Sequence, residues 1–395
     1  MYLINNIYFF YHNNIGDIMK ILKNNKVYIM FMFLFIILSF FSIYSASMYL
    51  SPTLGKLYYK QIFWYLIGIF LIILISKVKL KNLYRYSIFF YAINVILLVG
   101  LLLFTKSING SKSWYVLYGI GSIQPSEFMK ISLILFNSYI IYSFYKKEKE
   151  ITLGKEFLLI TIILITLIIP SILTFLQPDT GSVIIYFVIS FTMLFVSGIN
   201  KKWFIYIFII FSIFVAFFLY LYFYNENFFI KIFGSNFFYR MDRIVNWNSG
   251  NGMQLNNSLI SIGSSGLFGH GFNNTPMYFP EAGTDFIFTV YASNFGFLGC
   301  VCLLVFFGIF DIYLINVTKN IYSLQDKYTV IGILSVIFYQ QVQNIGMTIG
   351  LLPITGITLP FISYGGSSLL SYMILLGIVI NIINTDKKKK AYKSI

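Results

Sequence analysis

Ten apolar stretches constrain what this chain can fold into more than any other feature of its sequence. A helix needs about 20 apolar residues to cross a bilayer core, and none of the ten contains Lys, Arg, Asp or Glu. Only 10% of all residues are charged, against about 25% in soluble proteins. The pattern predicts an all-α polytopic membrane protein of about ten transmembrane helices and excludes a cytosolic enzyme. The predicted spans are Val27–Leu50, Gln61–Ser76, Tyr86–Thr105, Ile131–Tyr145, Phe157–Leu176, Ser182–Ile199, Trp203–Tyr224, Phe286–Phe310, Tyr328–Leu352 and Ser367–Thr385.

Basic residues are distributed unevenly around these spans. The formal net charge is +15, from 28 Lys and Arg and 13 Asp and Glu, which in a soluble protein would indicate nucleic acid. With ten spans and a cytoplasmic N-terminus, 20 of the 28 basic residues fall inside and 8 outside. Because cytoplasmic loops of membrane proteins are rich in Lys and Arg, the sequence predicts a multi-pass protein with both termini in the cytoplasm and no nucleic-acid partner.

The predicted spans form a single membrane domain, residues 27–385, between a cytoplasmic N-terminal segment, 1–26, and a basic cytoplasmic tail, 386–395. Within residues 1–18, the aromatic stretch Tyr2–Tyr11 is too short to span a bilayer and lacks the basic region of a signal peptide. We therefore favour a misplaced start codon over an interfacial helix, with Met19 as the start.

One outer connection, residues 225–285 between the seventh and eighth predicted spans, is far longer than the others. Loops of more than about 15 residues are usually functional or disordered. Its stretch Ser258–Gly271 is apolar enough to pack against the membrane domain, which favours an ordered extracytoplasmic loop.

Three further outer segments, residues 109–130, 177–181 and 352–368, mix Pro, Gly and polar residues between apolar helices. Pro and Gly break helices, and non-helical backbone at membrane depth is tolerated where it lines a cavity or is buried in protein. We therefore expect the outer ends of the helices to converge on one polar cavity, while the inner face is a basic rim.

Six acidic residues lie on the predicted outer side, and each has to be weighed against a purely structural role. A carboxylate next to a helix start can cap that helix. For Asp179 capping and function are equally favoured, whereas for Asp285, close to Glu281 at the membrane boundary, function is slightly favoured. The six residues are Glu127, Asp179, Glu226, Asp242, Glu281 and Asp285.

Seven motifs, spread from the third span to the last, resemble those of the SEDS family (shape, elongation, division and sporulation), the RodA/FtsW/SpoVE group. The long final motif favours the rod-elongation type within the family. The motifs are NGSKSW (Asn109–Trp114), QPSEFMK (Gln124–Lys130), QPDTG (Gln177–Gly181), SLISIGSSGLFGHG (Ser258–Gly271), PEAGTDFIF (Pro280–Phe288), FGFLG (Phe295–Gly299) and NIGMTIGLLPITGITLPFISYGGSSLL (Asn344–Leu370).

The resemblance implies a peptidoglycan glycosyltransferase of the bacterial cytoplasmic membrane, which polymerises lipid II into glycan strands for cell elongation or division. Its implied partners are lipid II, a polyprenyl-pyrophosphate-linked glycan, a class B penicillin-binding protein and other cell-wall elongation or division proteins. It also implies that Asp285, the Asp of the PE..TDF motif, is the essential carboxylate. The expected substrate-binding residues are Lys112, Trp114, Gln124, Ser126, Glu127, Lys130, Asp179, Arg240, Arg243, Glu281, Ser363 and Tyr364.

This reaction has two chemical needs. The acceptor hydroxyl needs a general base, for which Asp285 is the candidate. The leaving pyrophosphate needs cations or hydrogen-bond donors, for which Lys112, Lys130, Arg240 and Arg243 are the candidates. The sequence shows no certain cofactor, and a divalent cation such as Mg²⁺ or Mn²⁺ stays open.

Two other functions are compatible with the pattern. One is a flippase that transports lipid II, which would need polar residues along its whole path. The other is a non-catalytic scaffold for the penicillin-binding protein, which would not need Asp285.

Overall fold

The structure, a computed structural model, describes residues 26–48, 57–107, 110–117, 121–148, 150–245 and 252–393. Among these residues, ten helices are long and apolar enough to cross a membrane, which confirms the predicted fold class. Two short strands, β1 (Tyr115–Leu117) and β2 (Gly121–Ile123), form an antiparallel pair. The helices are α1 (Lys26–Ser47), α2 (Leu57–Lys77), α3 (Leu80–Arg85), α4 (Ser87–Phe104), α5 (Pro125–Lys147), α6 (Leu153–Leu176), α7 (Thr180–Ser197), α8 (Lys202–Tyr224), α9 (Glu226–Phe233), α10 (Ser235–Val245), α11 (Met253–Gly263), α12 (Ile287–Asn320), α13 (Leu324–Thr348) and α14 (Gly366–Lys393).

Helix α5 extends well beyond the predicted span Ile131–Tyr145, and its sequence explains both ends. Pro125 stands at the start of the helix, where its missing N–H leaves no hydrogen bond unmade. An acid in the first turn, Glu127, and two bases in the last, Lys146 and Lys147, complement the helix dipole. With 23 residues, helix α5 is long enough to span the bilayer.

The bundle has two chemically different ends. Helix α14 packs along α2, and α5 contacts α4, α7 and α13. The starts of α5 and α14 lie at one end, which we call the cavity face. Their basic ends, at Lys146 and Lys388, lie at the other, which we call the basic face.

The eighth predicted span, Phe286–Phe310, is wrong in two respects: the helix is longer, and it is interrupted. Helix α12 runs on to Asn320 and is interrupted at Gly296, where φ is 65°. It therefore contains Asp311, which is 7% exposed and accepts a 3.3 Å hydrogen bond from the Gln341 side chain. The expectation that no span holds a charged residue is therefore wrong for α12. The span tolerates Asp311 because a polar side chain on a neighbouring helix donates a hydrogen bond to the buried carboxylate.

The break at Gly296 is closed by residues 264–271 of the long loop, which we call the docking loop. The backbone N–H groups of Phe297 and Leu298 donate to the docking loop, at 3.0 and 3.1 Å, and His270 N–H donates to Ser293 O at 2.8 Å. A side chain at Gly269 would place its Cβ 2.3 Å from Asn294 O. The docking loop therefore supplies the partners that a broken membrane helix needs.

The first part of the long loop has a small apolar cluster of its own. Phe229 of α9 is fully buried against Leu221 and Tyr222 of α8, and residues of α10 pack around them. The predicted segment 1–18 lies outside the described residues.

Candidate active site

A polar cavity of about 430 Å³ opens on the cavity face. Its walls come from the segments around residues 111–124, 178–179, 281–285 and 355–368, together with one side chain of α2. The separate segments that were predicted to lie on the outer side thus meet at one place. The lining residues are Trp64, Ser111, Ser113, Trp114, Gly121, Ser122, Gln124, Pro178, Asp179, Glu281, Thr284, Asp285, Thr355, Gly356, Thr358, Tyr364, Gly365, Gly366, Ser367 and Ser368.

Asp179 caps α7 and also lines the cavity. Its carboxylate accepts hydrogen bonds from the Ser182 backbone N–H at 3.0 Å and hydroxyl at 2.8 Å. Gln124 Nε2 and the buried Ser126 hydroxyl each donate to it at 2.9 Å. Four donors fill most of the lone-pair sites of a carboxylate, so Asp179 fixes the position of Gln124 in the cavity wall. Ser126 is buried and absent from the described lining, so it supports Asp179 from behind the wall.

The segment before β1 is held against the QPDTG turn by two serines. Ser111 and Ser113 donate to the Gln177 carbonyl at 2.5 and 3.0 Å. This anchoring places Trp114 in the cavity wall. Lys112 lies between the two lining serines but is itself absent from the described lining.

Asp285 is positioned through its backbone. Asn344 Nδ2 donates to Asp285 O at 2.8 Å and to Ile357 O at 2.7 Å, which ties the two wall segments together. Among the described residues, no donor hydrogen-bonds to the Asp285 carboxylate. Helix α12 has Phe286 as its cap residue, with no side-chain cap bond. The capping role considered for Asp285 is therefore not seen in this structure.

Two residues of the FISYGG run support the same segment. Ser363 accepts a bond from Leu359 N–H at 2.8 Å and donates to Thr284 O at 2.7 Å. Tyr364 N–H donates to Gly283 O at 2.8 Å, and the Tyr364 side chain lines the cavity. Ser363 is thus placed to orient Asp285 from behind the wall.

The cavity is acidic. Enclosure by protein, followed by the nearby Glu281 and Asp179 carboxylates, raises the pKa of Asp285 to about 7. The Thr284 hydroxyl donates to Glu281 at 2.7 Å. Lys, Arg and His are absent from the described lining, so an approaching anion meets three carboxylates.

Glu127 and Lys130 lie behind the cavity wall, not in it. Lys130 is fully buried, forms an ion pair with Glu127 at 2.5 Å and lies 5.1 Å from the centre of the Tyr372 ring. Ser371 donates to the same Glu127 oxygen at 3.0 Å. The structure thus gives no direct access for the substrate contacts predicted for these two residues, because they share a helical face that points into the bundle.

Arg240 and Arg243 lie on α10 of the long loop, and the phosphate contacts suggested for them stay predictions. Sequence reasoning did not single out Trp64, Thr355 and Thr358, which line the cavity. The two threonines lie in an outer segment already expected to form its wall. Trp64 lies in an apolar span, where nothing distinguishes it from a lipid-facing aromatic residue.

The fold and the site together define a polytopic membrane protein with an acidic cavity at one end of its helix bundle. The model of the Cell cycle protein family, which joins FtsW, RodA and SpoVE, matches residues 25–388. The chain belongs to this family, which confirms the resemblance; the lean to the rod-elongation type stays a prediction.

Several relatives support the assignment. The probable peptidoglycan glycosyltransferase FtsW of Wigglesworthia glossinidia brevipalpis is 33% identical over 93% of this chain and 95% of its own length. Stage V sporulation protein E of Bacillus subtilis is 34% identical over 69% of this chain and 72% of its own.

Solved structures share the fold. Thermus thermophilus rod shape determining protein RodA has a TM-score of 0.65 at 23% identity, covering 91% of this chain and 96% of that one. A chain from a structure described as the structural coordination of polymerization and crosslinking by a peptidoglycan synthase complex has a TM-score of 0.74 at 23% identity, over 91% and 97% of the two chains.

Proposed function

We propose that the chain is a peptidoglycan glycosyltransferase that polymerises lipid II at the outer face of the bacterial cytoplasmic membrane, in cell elongation or division. The observation that carries the proposal is the Asp285 carboxylate, which lines the cavity without a described hydrogen-bond donor. Enclosure by protein raises the pKa of this carboxylate to about 7, which suits a general base. The names of the relatives point to the same activity.

In the proposed reaction, the 4-hydroxyl oxygen of a lipid II sugar attacks the anomeric carbon of the lipid-linked glycan. The bond from that carbon to the polyprenyl pyrophosphate breaks, and the hydroxyl proton passes to Asp285. A base with a pKa near the working pH is well matched to this step. Trp64, Trp114 and Tyr364 offer aromatic faces for the sugars, and the polar side chains between them offer hydrogen bonds to hydroxyls.

The leaving pyrophosphate needs positive charge that the described cavity lining does not supply. Lys112, at the edge of the cavity, is the candidate for direct contact. The donor set also fits a divalent cation shared with the substrate, because Mg²⁺ binds through one or two carboxylates together with substrate phosphates. Glu281 is the candidate to hold such an Mg²⁺ or Mn²⁺ ion, which would neutralise charge on the leaving group.

The polymerisation rate is expected to rise as pH increases from 6 to 8. Asp285 acts as a base only when deprotonated, and with a pKa of about 7 its deprotonated fraction grows roughly tenfold over this interval. Initial rates with labelled lipid II at saturating concentration measure the effect, and size-exclusion chromatography checks that the protein stays folded at each pH. A polymerisation rate that does not change with pH would argue against Asp285 as the base.

The two alternatives make different demands. A flippase needs a polar path across the membrane, but Asp311 lines an apolar groove between α12 and α13, away from the cavity. A scaffold needs no free carboxylate. Purified protein reconstituted with a class B penicillin-binding protein and labelled lipid II separates the three functions. We expect glycan polymer. Lipid translocation without polymer would support the flippase, and the absence of both polymer and translocation would support the scaffold.

The proposed orientation predicts where an impermeant thiol reagent reacts in intact cells. In a background with Cys300 and Cys302 replaced by Ser, a cysteine at the exposed Asn274 should be labelled, because the cavity face is expected to be outside. A cysteine at the exposed Lys388 should react only after the cells are opened. The opposite pattern would place the cavity in the cytoplasm and contradict the proposed reaction.

A further inference from the structure

A second cavity, of about 890 Å³, opens on the basic face. Helices α5 and α14 reach both cavities from opposite ends, and α5, with 23 residues, is roughly 35 Å long at about 1.5 Å per residue. The second cavity, which we call the basic cavity, is therefore separate from the site around Asp285. Its lining contains six cations, Lys79, Lys81, Arg85, Lys146, Lys388 and Lys389.

The charge of the basic cavity is largely uncompensated. Asp326 is the single acid in its described lining, and Tyr84 donates a 2.7 Å hydrogen bond to it. Within the described part of the chain, none of the six cations forms an ion pair with a carboxylate. Elsewhere on this face, Lys155 pairs with Glu148 at 2.7 Å and Lys390 with Asp386 at 2.9 Å. A rim that is basic only for membrane orientation does not explain why the unpaired cations gather around one cavity.

A buried donor in the same wall also lacks a partner. Gln325 lines the basic cavity, and its side-chain nitrogen is buried with no hydrogen-bond acceptor among the described residues. It lies in the first turn of α13, where the helix dipole is positive. An anion in the cavity would meet the six cations, this dipole and the free amide donor.

The basic cavity also reaches toward lipid. Tyr139 and Tyr142 line it, and Tyr139 is 39% exposed. Tyr139 lies seven residues before Lys146 on α5, so it is about 10 Å deeper in the membrane. A ligand with a charged head and an apolar chain fits this arrangement better than a soluble anion.

We propose that the basic cavity binds the phosphate headgroup of an anionic phospholipid in the leaflet at the basic face. Basic pockets between transmembrane helices on the cytoplasmic side bind such headgroups in other membrane proteins. The proposal does not depend on the reaction assigned to Asp285.

Native mass spectrometry of the full chain, titrated with phosphatidylglycerol or with phosphatidylcholine, tests this proposal. We expect phosphatidylglycerol to be retained preferentially. The variant Lys81→Gln/Arg85→Gln/Lys388→Gln should lower its retention at least tenfold. The control Lys201→Gln/Lys202→Gln/Lys319→Gln removes three exposed charges predicted to lie on the same face but outside the cavity, and it should bind like the wild type.

A charge-preserving variant, Lys81→Arg/Arg85→Lys/Lys388→Arg, should retain the lipid and so separates loss of charge from loss of fold. Equal retention of the two lipids, or equal losses in the cavity variant and its control, would overturn the proposal. Displacement of phosphatidylglycerol by an equal concentration of inorganic pyrophosphate would also overturn it, because the ligand would then be a soluble anion.

Discussion

Replacing Asp285 with Asn is expected to lower the rate of lipid II polymerisation by about 10²–10⁴-fold, the usual contribution of a positioned general base. Asn has almost the same shape but cannot accept the proton of the attacking hydroxyl. Because the Asp285 carboxylate caps no helix in the structure, the variant should remain folded and inserted in the membrane. Polymer formation by purified protein and partner, normalised to folded protein, measures the loss.

The matched control for this experiment is Glu226→Gln. Glu226 is an exposed acid of the long loop, outside the cavity lining, so its change removes one negative charge without touching the site. It should polymerise like the wild type. Substantial polymer from Asp285→Asn would refute the catalytic assignment, and an equal loss in Glu226→Gln would attribute the effect to general charge.

Replacing Lys130 with Met is expected to destabilise the protein by about 3–5 kcal/mol, because it leaves a buried carboxylate without its cation. Glu127 would then retain one described side-chain donor, Ser371. The double variant Glu127→Gln/Lys130→Met should recover most of the lost free energy of unfolding. Unfolding in detergent or nanodiscs, followed for the single and double variants, gives the coupling between the two residues.

Lys155→Met provides the comparison. It removes the partly exposed Lys155–Glu148 ion pair, and such pairs contribute only about 0–1 kcal/mol. We therefore expect a much smaller loss of stability than for Lys130→Met.

A structural role of Lys130 and a direct phosphate contact predict different results. If Lys130→Met unfolds like the wild type but polymerises more than tenfold more slowly per folded molecule, Lys130 binds substrate after all.

Most of the fold could be predicted from hydropathy, because each apolar stretch must cross the bilayer as a helix with its own hydrogen bonds satisfied. The end of α12 could not be predicted, because a charged residue such as Asp311 usually marks the start of a loop. Only the structure shows that Gln341, thirty residues later, donates a hydrogen bond to it. The short β1–β2 pair and α3 were missed because they lie in short polar segments without a clear period.

The site could be predicted in outline from the polar segments between the predicted outer ends of the helices. The roles of individual residues depended on contacts that sequence spacing does not contain. Glu127 and Lys130, three residues apart on one helix, lie at the predicted outer end of a span, and only packing shows that their shared face points into the bundle. Asp179 and Asp285 each precede a helix. Asp179 caps its helix, whereas the Asp285 carboxylate accepts no hydrogen bond from the residues that the structure describes.

The docking of residues 264–271 onto the break at Gly296 determines which piece of this protein could be exchanged with a relative. A chimera that replaced residues 225–285 alone would separate the docking loop from the backbone groups of Ser293, Phe297 and Leu298 that it satisfies. The smallest segment that could be transplanted therefore includes both the docking loop and the first part of helix α12. It runs from the start of the docking loop to at least Leu298.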